Sequence, residues 1–197
     1  MRAVPRRAAA ARVLRIIGGS WRGRKLRFPA AADIRPTPDR VRETLFNWLS
    51  ARVSGARCLD LFAGSGALGL EALSRGAAEV TFVEQDVAAA RELSARLSEW
   101  GAHGGTVERC DALEYLKGAA RPFDIAFLDP PFATALAPAA AQLLALRGWL
   151  APAARLYVEC PARPGPPQLP TAFHTLKSKR AGEVGYHLYE YVPAPPD

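Results

Sequence analysis

Cysteine, histidine and methionine are scarce, with three, three and one among 197 residues. Cys58, Cys110 and Cys160 lie far apart and form no CxxC or Cys/His ligand spacing. That excludes a disulfide framework and a zinc site, and suits three small, partly buried residues of a reducing compartment. His103, His174 and His187 are equally scattered, so neither a metal centre nor a histidine-assisted nucleophile has support. No apolar stretch approaches the roughly 20 residues that span a bilayer. Arg12 and Arg15 interrupt the N-terminal apolar residues and argue against a secretory signal, and the same segment is poor in serine for an organellar transit peptide. The expected compartment is the cytoplasm. Acidic residues are almost missing from the first fifth. Through Arg42 there are twelve Lys/Arg against Asp33 and Asp39, a net of +10, so the remainder carries −3 out of the total of +7. Clustered cations of this kind suit nucleic-acid phosphates, since counterion release drives sequence-independent affinity.

Along the chain, residues 1–14 are low in complexity and read as a disordered basic tail. "RIIGGSWRGRKLRF" predicts a basic β-hairpin turning around Gly18, Gly19 and Gly23. Trp21 in that turn can stack on a base or anchor the ribbon on the domain. "RPTPDRVRETLFNWLSARV" predicts a helix capped by Thr37, with Pro38 at the first helical position. Val41, Leu45, Trp48 and Leu49 share its apolar face, with Arg40 and Arg42 pointing elsewhere. Residues 15–50 thus form a nucleic-acid-binding hairpin and helix, and 51–197 a larger α/β domain.

From Arg57 the pattern alternates: apolar strands "CLDLF", "EVTFVE", "GTVERC", "FDIAFLD" and "ARLYVEC" are separated by helical segments. This implies a mostly parallel sheet with helices on both faces. After the Pro-rich stretch 161–170, "FHTLKSKRAGEVGYHLYEYV" predicts two strands turning at Ala181-Gly182. These give a seven-stranded sheet an antiparallel edge.

Two motifs carry chemistry. In "LDLFAGSGALGLE", Gly64, Gly66 and Gly69 form GxGxxG between a strand and a helix, and Glu84 follows Gly64 by 20 positions at the next strand end. This is the context of a nucleotide-binding sheet, with the acid placed for ribose hydroxyls. Asp60 would repel a pyrophosphate and attract a sulfonium ligand with a free amino group. Asp111, after the third strand, can accept from an adenine amine or cap the following helix. The second motif, "LDPPF" at 128–132, ends the fourth strand of the α/β pattern. A planar amine is a poor nucleophile and must be held in line, with its hydrogens bonded to acceptors. Asp129 and the carbonyl of Pro130, fixed by the Pro130-Pro131 backbone, supply acceptors, and Phe132 offers a face for stacking. No cysteine lies in this turn, which argues against covalent carbon methylation.

The (Asp/Asn)-Pro-Pro-(Tyr/Phe) pattern resembles amino-methylating class I S-adenosylmethionine-dependent methyltransferases, a Rossmann-like fold. More narrowly, "RIIGGSWRGRKL", "RPTPDRVRETLFNWL", "DLFAGSGALGLEALSRGA" and "LDPPF" together resemble the RsmD family. Its members methylate the N2 amine of a guanine in bacterial 16S ribosomal RNA during small-subunit assembly. The resemblance implies S-adenosyl-L-methionine as cofactor. Asp60, Gly64 and Gly66, with Ala63 and Ser65 of the same loop, would line its methionine end. Glu84 would hold the ribose and Asp111 the adenine amine. Asp129, bordering the cofactor, would present the guanine with Pro130, Pro131 and Phe132. Arg22, Arg24 and Lys25 of the hairpin, Arg35, Arg40 and Arg42, and Lys179 and Arg180 of the "KSKR" cluster would contact RNA phosphates. The implied enzyme is a monomer partnered by 16S ribosomal RNA in assembling small subunits, with no metal and no membrane.

Two other readings compete. A DNA adenine-N6 methyltransferase would use the same tetrad, but no target-recognition region is evident in so short a chain. A non-catalytic RNA-binding assembly factor would keep the fold without binding the cofactor. An NAD dehydrogenase lacks a catalytic His, Tyr or Lys constellation.

Overall fold

The structure, a computed structural model, describes residues 12–28, 37–132 and 135–193. Strands β1 (Arg12–Arg15) and β2 (Lys25–Phe28) pair antiparallel, with Arg15 opposite Lys25, as the basic hairpin requires. β1 begins inside the segment expected to be a tail, because Leu14 and Ile16 are buried in the core. Residues 1–11 and Arg35 lie outside the described residues.

Helix α1 spans Asp39–Trp48. Its N-cap is Pro38, and no side chain caps it. The expected Thr37 cap is therefore replaced, and the Thr37 hydroxyl bonds elsewhere. Arg42 also departs from expectation. Val41, Arg42, Leu45, Phe46 and Leu49 are all fully buried, so the inward face of α1 includes the arginine.

The α/β pattern then runs β3 (Arg57–Asp60), α2 (Ala67–Ser74), β4 (Glu79–Val83), α3 (Val87–Glu99), β5 (Gly105–Glu108), α4 (Ala112–Tyr115), β6 (Phe123–Leu128), α5 (Leu136–Leu146), β7 (Leu150–Pro161), β8 (Phe173–Ala181) and β9 (Val184–Tyr191). The seven-stranded sheet has the order β5-β4-β3-β6-β7-β9-β8. The pairs among β5, β4, β3, β6 and β7 are parallel, and the β7–β9 and β9–β8 pairs are antiparallel. The final turn falls at Gly182-Glu183, one residue later than expected.

Period-two alternation along each strand divides the core into two layers. On one face Cys58, Phe82, Ile125, Phe127, Tyr157 and Leu188 pack with α1, α2, α3 and the hairpin. On the other Leu59, Val83, Ala126, Leu128, Leu156 and Val158 pack with α4 and α5. The hairpin and α1 are thus continuous with the main core. Chain order reverses between β3 and β6: β4 and β5 build outward on one side, β6 and β7 on the other. In open α/β sheets ligands bind beyond the carboxyl ends of the strands at such a switch point.

Candidate active site

A cavity of about 720 Å³ opens at that switch point. Its walls come from the carboxyl ends of five strands: Asp60 from β3, Glu84 after β4, Asp111 after β5, Asp129 after β6 and Glu159 from β7. Ala63, Gly64, Ser65, Pro130, Pro131 and Phe132 also line it. The residues expected to hold cofactor and target base therefore surround one space, except Gly66, which sits just behind it as the N-cap of α2 with φ +74°.

The glycine loop is shaped by close approach. Gly66 adopts the left-handed conformation, and a Cβ there would lie 2.5 Å from Leu93 Cδ1. At Gly69 a Cβ would lie 2.2 Å from Phe82 Cε1, so only glycine lets α2 sit this close to β4. The Gly69 amide donates to Asp60 Oδ2 at 2.9 Å, tying helix to strand end.

The carboxylates are held by backbone donors. Glu84 accepts from Gly64 N through Oε2 and from Asp86 N through Oε1, both at 2.7 Å. Asp111 Oδ1 accepts from Leu113 N and Glu114 N, capping α4 while the residue lines the cavity. Asp111 thus both caps α4 and forms part of the cavity wall. Asp129 Oδ2 accepts from Thr37 Oγ1 at 3.0 Å.

Burial makes these acids unusual. Asp60 is pushed up to about 7, first by desolvation and then by the charges of Asp129 and Glu84, with the Gly69 hydrogen bond opposing. Asp129 is raised to about 6 by desolvation, against the Thr37 bond that favours its charged form.

Among the described residues, the lining carries six carboxylates, Asp60, Glu84, Asp86, Asp111, Asp129 and Glu159, and no lysine or arginine. A pyrophosphate would meet uncompensated repulsion here, whereas a ligand with a sulfonium and an ammonium group would relieve it. The donor set thus fits S-adenosylmethionine. Among the described residues, no group of three or more His, Cys, Asp or Glu side chains is arranged to hold a metal ion, and no helix is long and apolar enough to cross a membrane.

The expected RNA contacts separate into three sets. Arg40, Lys179 and Arg180 are exposed. β8 runs parallel to β7 through their shared partner β9, so Lys179 and Arg180 sit at the cavity end of the sheet. Arg22, Arg24 and Lys25 are exposed too, but the hairpin turn docks where α2 and α3 end: Ser20 N donates to Ser74 O and Trp21 N to Ser74 Oγ. Because α2 returns antiparallel to the strands, this is the end of the sheet away from the cavity. Trp21 packs edge-on against Trp100 with centroids 5.3 Å apart, and the Arg24 guanidinium lies 5.2 Å from the Trp100 ring. It therefore anchors the ribbon on the domain.

The third set is Arg42 alone, and it corrects the expectation. Its side chain is fully buried. It bonds Asp39 at 2.6 Å, the carbonyls of Arg15 and Thr37, and Glu71 at 3.5 Å, which leaves it no reach to phosphate. Glu71 in turn accepts from Ile17 N and Gly18 N, both at 2.8 Å, and from Arg75. Arg42 is a buried strut joining hairpin, α1 and α2.

Sequence reasoning missed Thr37 as the partner of Asp129, and missed Glu159. The first has no local signal, since the two residues are 92 positions apart. The second had one: "YVEC" carries an acid at its strand end, as "FLD" does.

Comparisons with known proteins bear on the family and the fold. A family model described as conserved hypothetical protein 95 matches residues 14–190. "Ribosomal RNA small subunit methyltransferase D" of Escherichia coli K12 is 48% identical over 177 residues, covering 90% of this chain and 89% of the relative. A solved structure of the putative methyltransferase yhhF from Escherichia coli superposes with a TM-score of 0.86 at 45% identity, covering 92% of this chain and 99% of that one. The structure of the Thermus thermophilus 16S rRNA N2 G1207 methyltransferase (RsmC), in complex with AdoMet and guanosine, superposes with a TM-score of 0.63 at 28% identity, over 94% of this chain and 50% of that one. The chain belongs to the family described as conserved hypothetical protein 95, the RsmD family of small-subunit ribosomal RNA methyltransferases.

Proposed function

We propose that the protein transfers a methyl group from S-adenosylmethionine to the N2 amine of one guanine in 16S ribosomal RNA, acting as a single chain in the cytoplasm while the small subunit assembles. One observation carries this reading: Asp129, held by Thr37, ends β6 in the same acid-lined cavity as Asp60 and Glu84. The neighbour solved in complex with AdoMet and guanosine, an N2 methyltransferase by its description, supports the choice of base.

When bound, S-adenosylmethionine supplies an electrophilic methyl group on a positively charged sulfur. Asp60 would then offset the ligand's positive charge, the glycine loop would let the ligand approach the backbone closely, and Glu84 would accept from ribose hydroxyls. Because a paired guanine hides its amine, the base must leave the stack to enter the cavity. Phe132 gives it a face to lie on. Asp129, ionised above about pH 6, accepts one N2 hydrogen and the Pro130 carbonyl the other. With the amine so held, its nitrogen is turned toward the methyl group, and Asp129 is placed to take the proton that the amine loses. Orientation and fixed charge supply the rate enhancement without a strong base.

The test is mass spectrometry of small-subunit RNA from a deletion strain complemented by wild type or by Asp129→Ala. One N2-methylguanine should vanish on deletion, return with wild type and stay absent with the variant, which should still bind the cofactor. A methylation pattern unaffected by deletion would overturn the proposal.

A further inference from the structure

A second acid enters the cavity beside Asp129. β6 and β7 are parallel, with Leu128 opposite Val158, so Asp129 and Glu159 lie opposite one another one residue further on. Neighbouring strands are about 4.8 Å apart, and both side chains line the cavity. Glu159 is 3% exposed, and the Tyr157 hydroxyl, on the same face of β7, donates to its Oε1 at 2.9 Å. Tyr157 is itself fully buried between Phe127 and the core around α1, so it has little freedom to release that bond. The tetrad chemistry assigns no task to this carboxylate.

The Watson–Crick edge of guanine offers two neighbouring donors, N1–H and N2–H. Two carboxylates side by side are complementary to that pair. Adenine presents an amine beside an acceptor at N1, and this acceptor would face carboxylate lone pairs. We propose that Glu159, oriented by Tyr157, selects guanine by accepting its N1–H while Asp129 accepts from the N2 amine. The inference rests on the guanine-N2 reading above and extends it from the reacting amine to the identity of the base. Tyr157 is a positioning residue, acting through Glu159.

2-Aminopurine tests this directly. It keeps the 2-amino group but has an acceptor at N1. Small subunits are reconstituted with RNA carrying either guanine or 2-aminopurine at the mapped position, and kcat/KM for methyl transfer is measured for each. Wild type should favour guanine by at least about 100-fold, since a site built to bond a donor rejects the analogue lacking it. Glu159→Gln should lose about 100-fold on guanine and narrow the ratio at least about tenfold, because its amide can turn a donor toward the N1 acceptor. Tyr157→Phe should narrow the ratio by about threefold. Cofactor titration reports whether each variant is folded. A ratio equal to that of wild type in Glu159→Gln overturns the inference, and if that variant does not fold, an unchanged ratio in Tyr157→Phe does so. If wild type itself leaves N2 of guanine unmodified, the substrate reading has failed instead, and the wild-type arm alone reveals it.

Discussion

The Thr37 hydroxyl donates to Asp129 Oδ2 at 3.0 Å, linking the segment just ahead of α1 to the end of β6. The bond favours the ionised carboxylate, so it holds Asp129 below the value that burial alone would impose. Thr37→Val keeps the shape and removes the donor. Asp129 should then titrate above about 6, and the acidic limb of kcat should move to higher pH by about one unit, the scale of a hydrogen bond to a charged group. Methyl-transfer rates compared at pH 6 and pH 8 should show a larger deficit at pH 6. An equal deficit at both would mean that Thr37 only packs.

Asp60 imposes a pH dependence of the opposite kind on stability. Its carboxyl is raised to about 7 in the fold, against about 3.9 in an unfolded chain. The folded state therefore binds the proton more tightly, and its stabilising contribution, complete below about pH 4, is lost as pH rises through about 7. Urea unfolding of the ligand-free protein should show stability falling across that window by on the order of a few kcal/mol, and Asp60→Asn should flatten the fall. Cofactor binding, which favours the ionised acid, should release protons near pH 7 in calorimetry with buffers of different ionisation enthalpy.

Much of this architecture could be read from local pattern. Apolar runs such as "FDIAFLD" locate buried strands because burial on both faces leaves no alternation, and Gly69 announces a close helix–strand contact. Thr37 and Arg42 could not be read in that way. A threonine before a proline and an acidic-basic run suits a cap as well as it suits a reach across the sheet, and only Asp129, 92 residues away, decides. Arg42 looked solvent-facing because its partner Glu71 lies 29 residues further on. A faint signal existed in Phe46, four residues after Arg42 and also buried, which widens the inward stripe of α1 to include the arginine.

The Arg42–Glu71 pair ties the hairpin to α1 and α2. Breaking a buried pair typically costs about 3–5 kcal/mol, and because Arg42 keeps Asp39 at 2.6 Å the loss of Glu71 should fall at or below the low end of that range. Glu71→Ala also strips the acceptors from Ile17 N and Gly18 N. Its urea midpoint should fall accordingly, with β1 and β2 losing amide exchange protection before the seven-stranded sheet. Glu71→Gln, which keeps an acceptor, should fall less. Uniform loss of protection would show that the hairpin does not depend on this anchor.

The two exposed basic clusters should differ in what they do for RNA. Arg22, Arg24 and Lys25 lie at the end of the sheet away from the cavity, whereas Lys179 and Arg180 flank it. Each phosphate left without its cation lowers the slope of log affinity against log salt by about 0.7 to 0.9. Replacing Arg22, Arg24 and Lys25 together with alanine should thus weaken RNA binding, flatten that slope by about two, and leave kcat on saturating RNA unchanged. Replacing Lys179 and Arg180 should flatten the slope less, having fewer charges to lose, yet lower kcat as well, because under the proposed function these groups would hold the RNA nearest the extruded base. Filter binding across a salt series, paired with single-turnover rates, separates the two. If the triple change leaves affinity and slope untouched, RNA does not extend to the hairpin, and Arg24 serves only to cover Trp21 and Trp100.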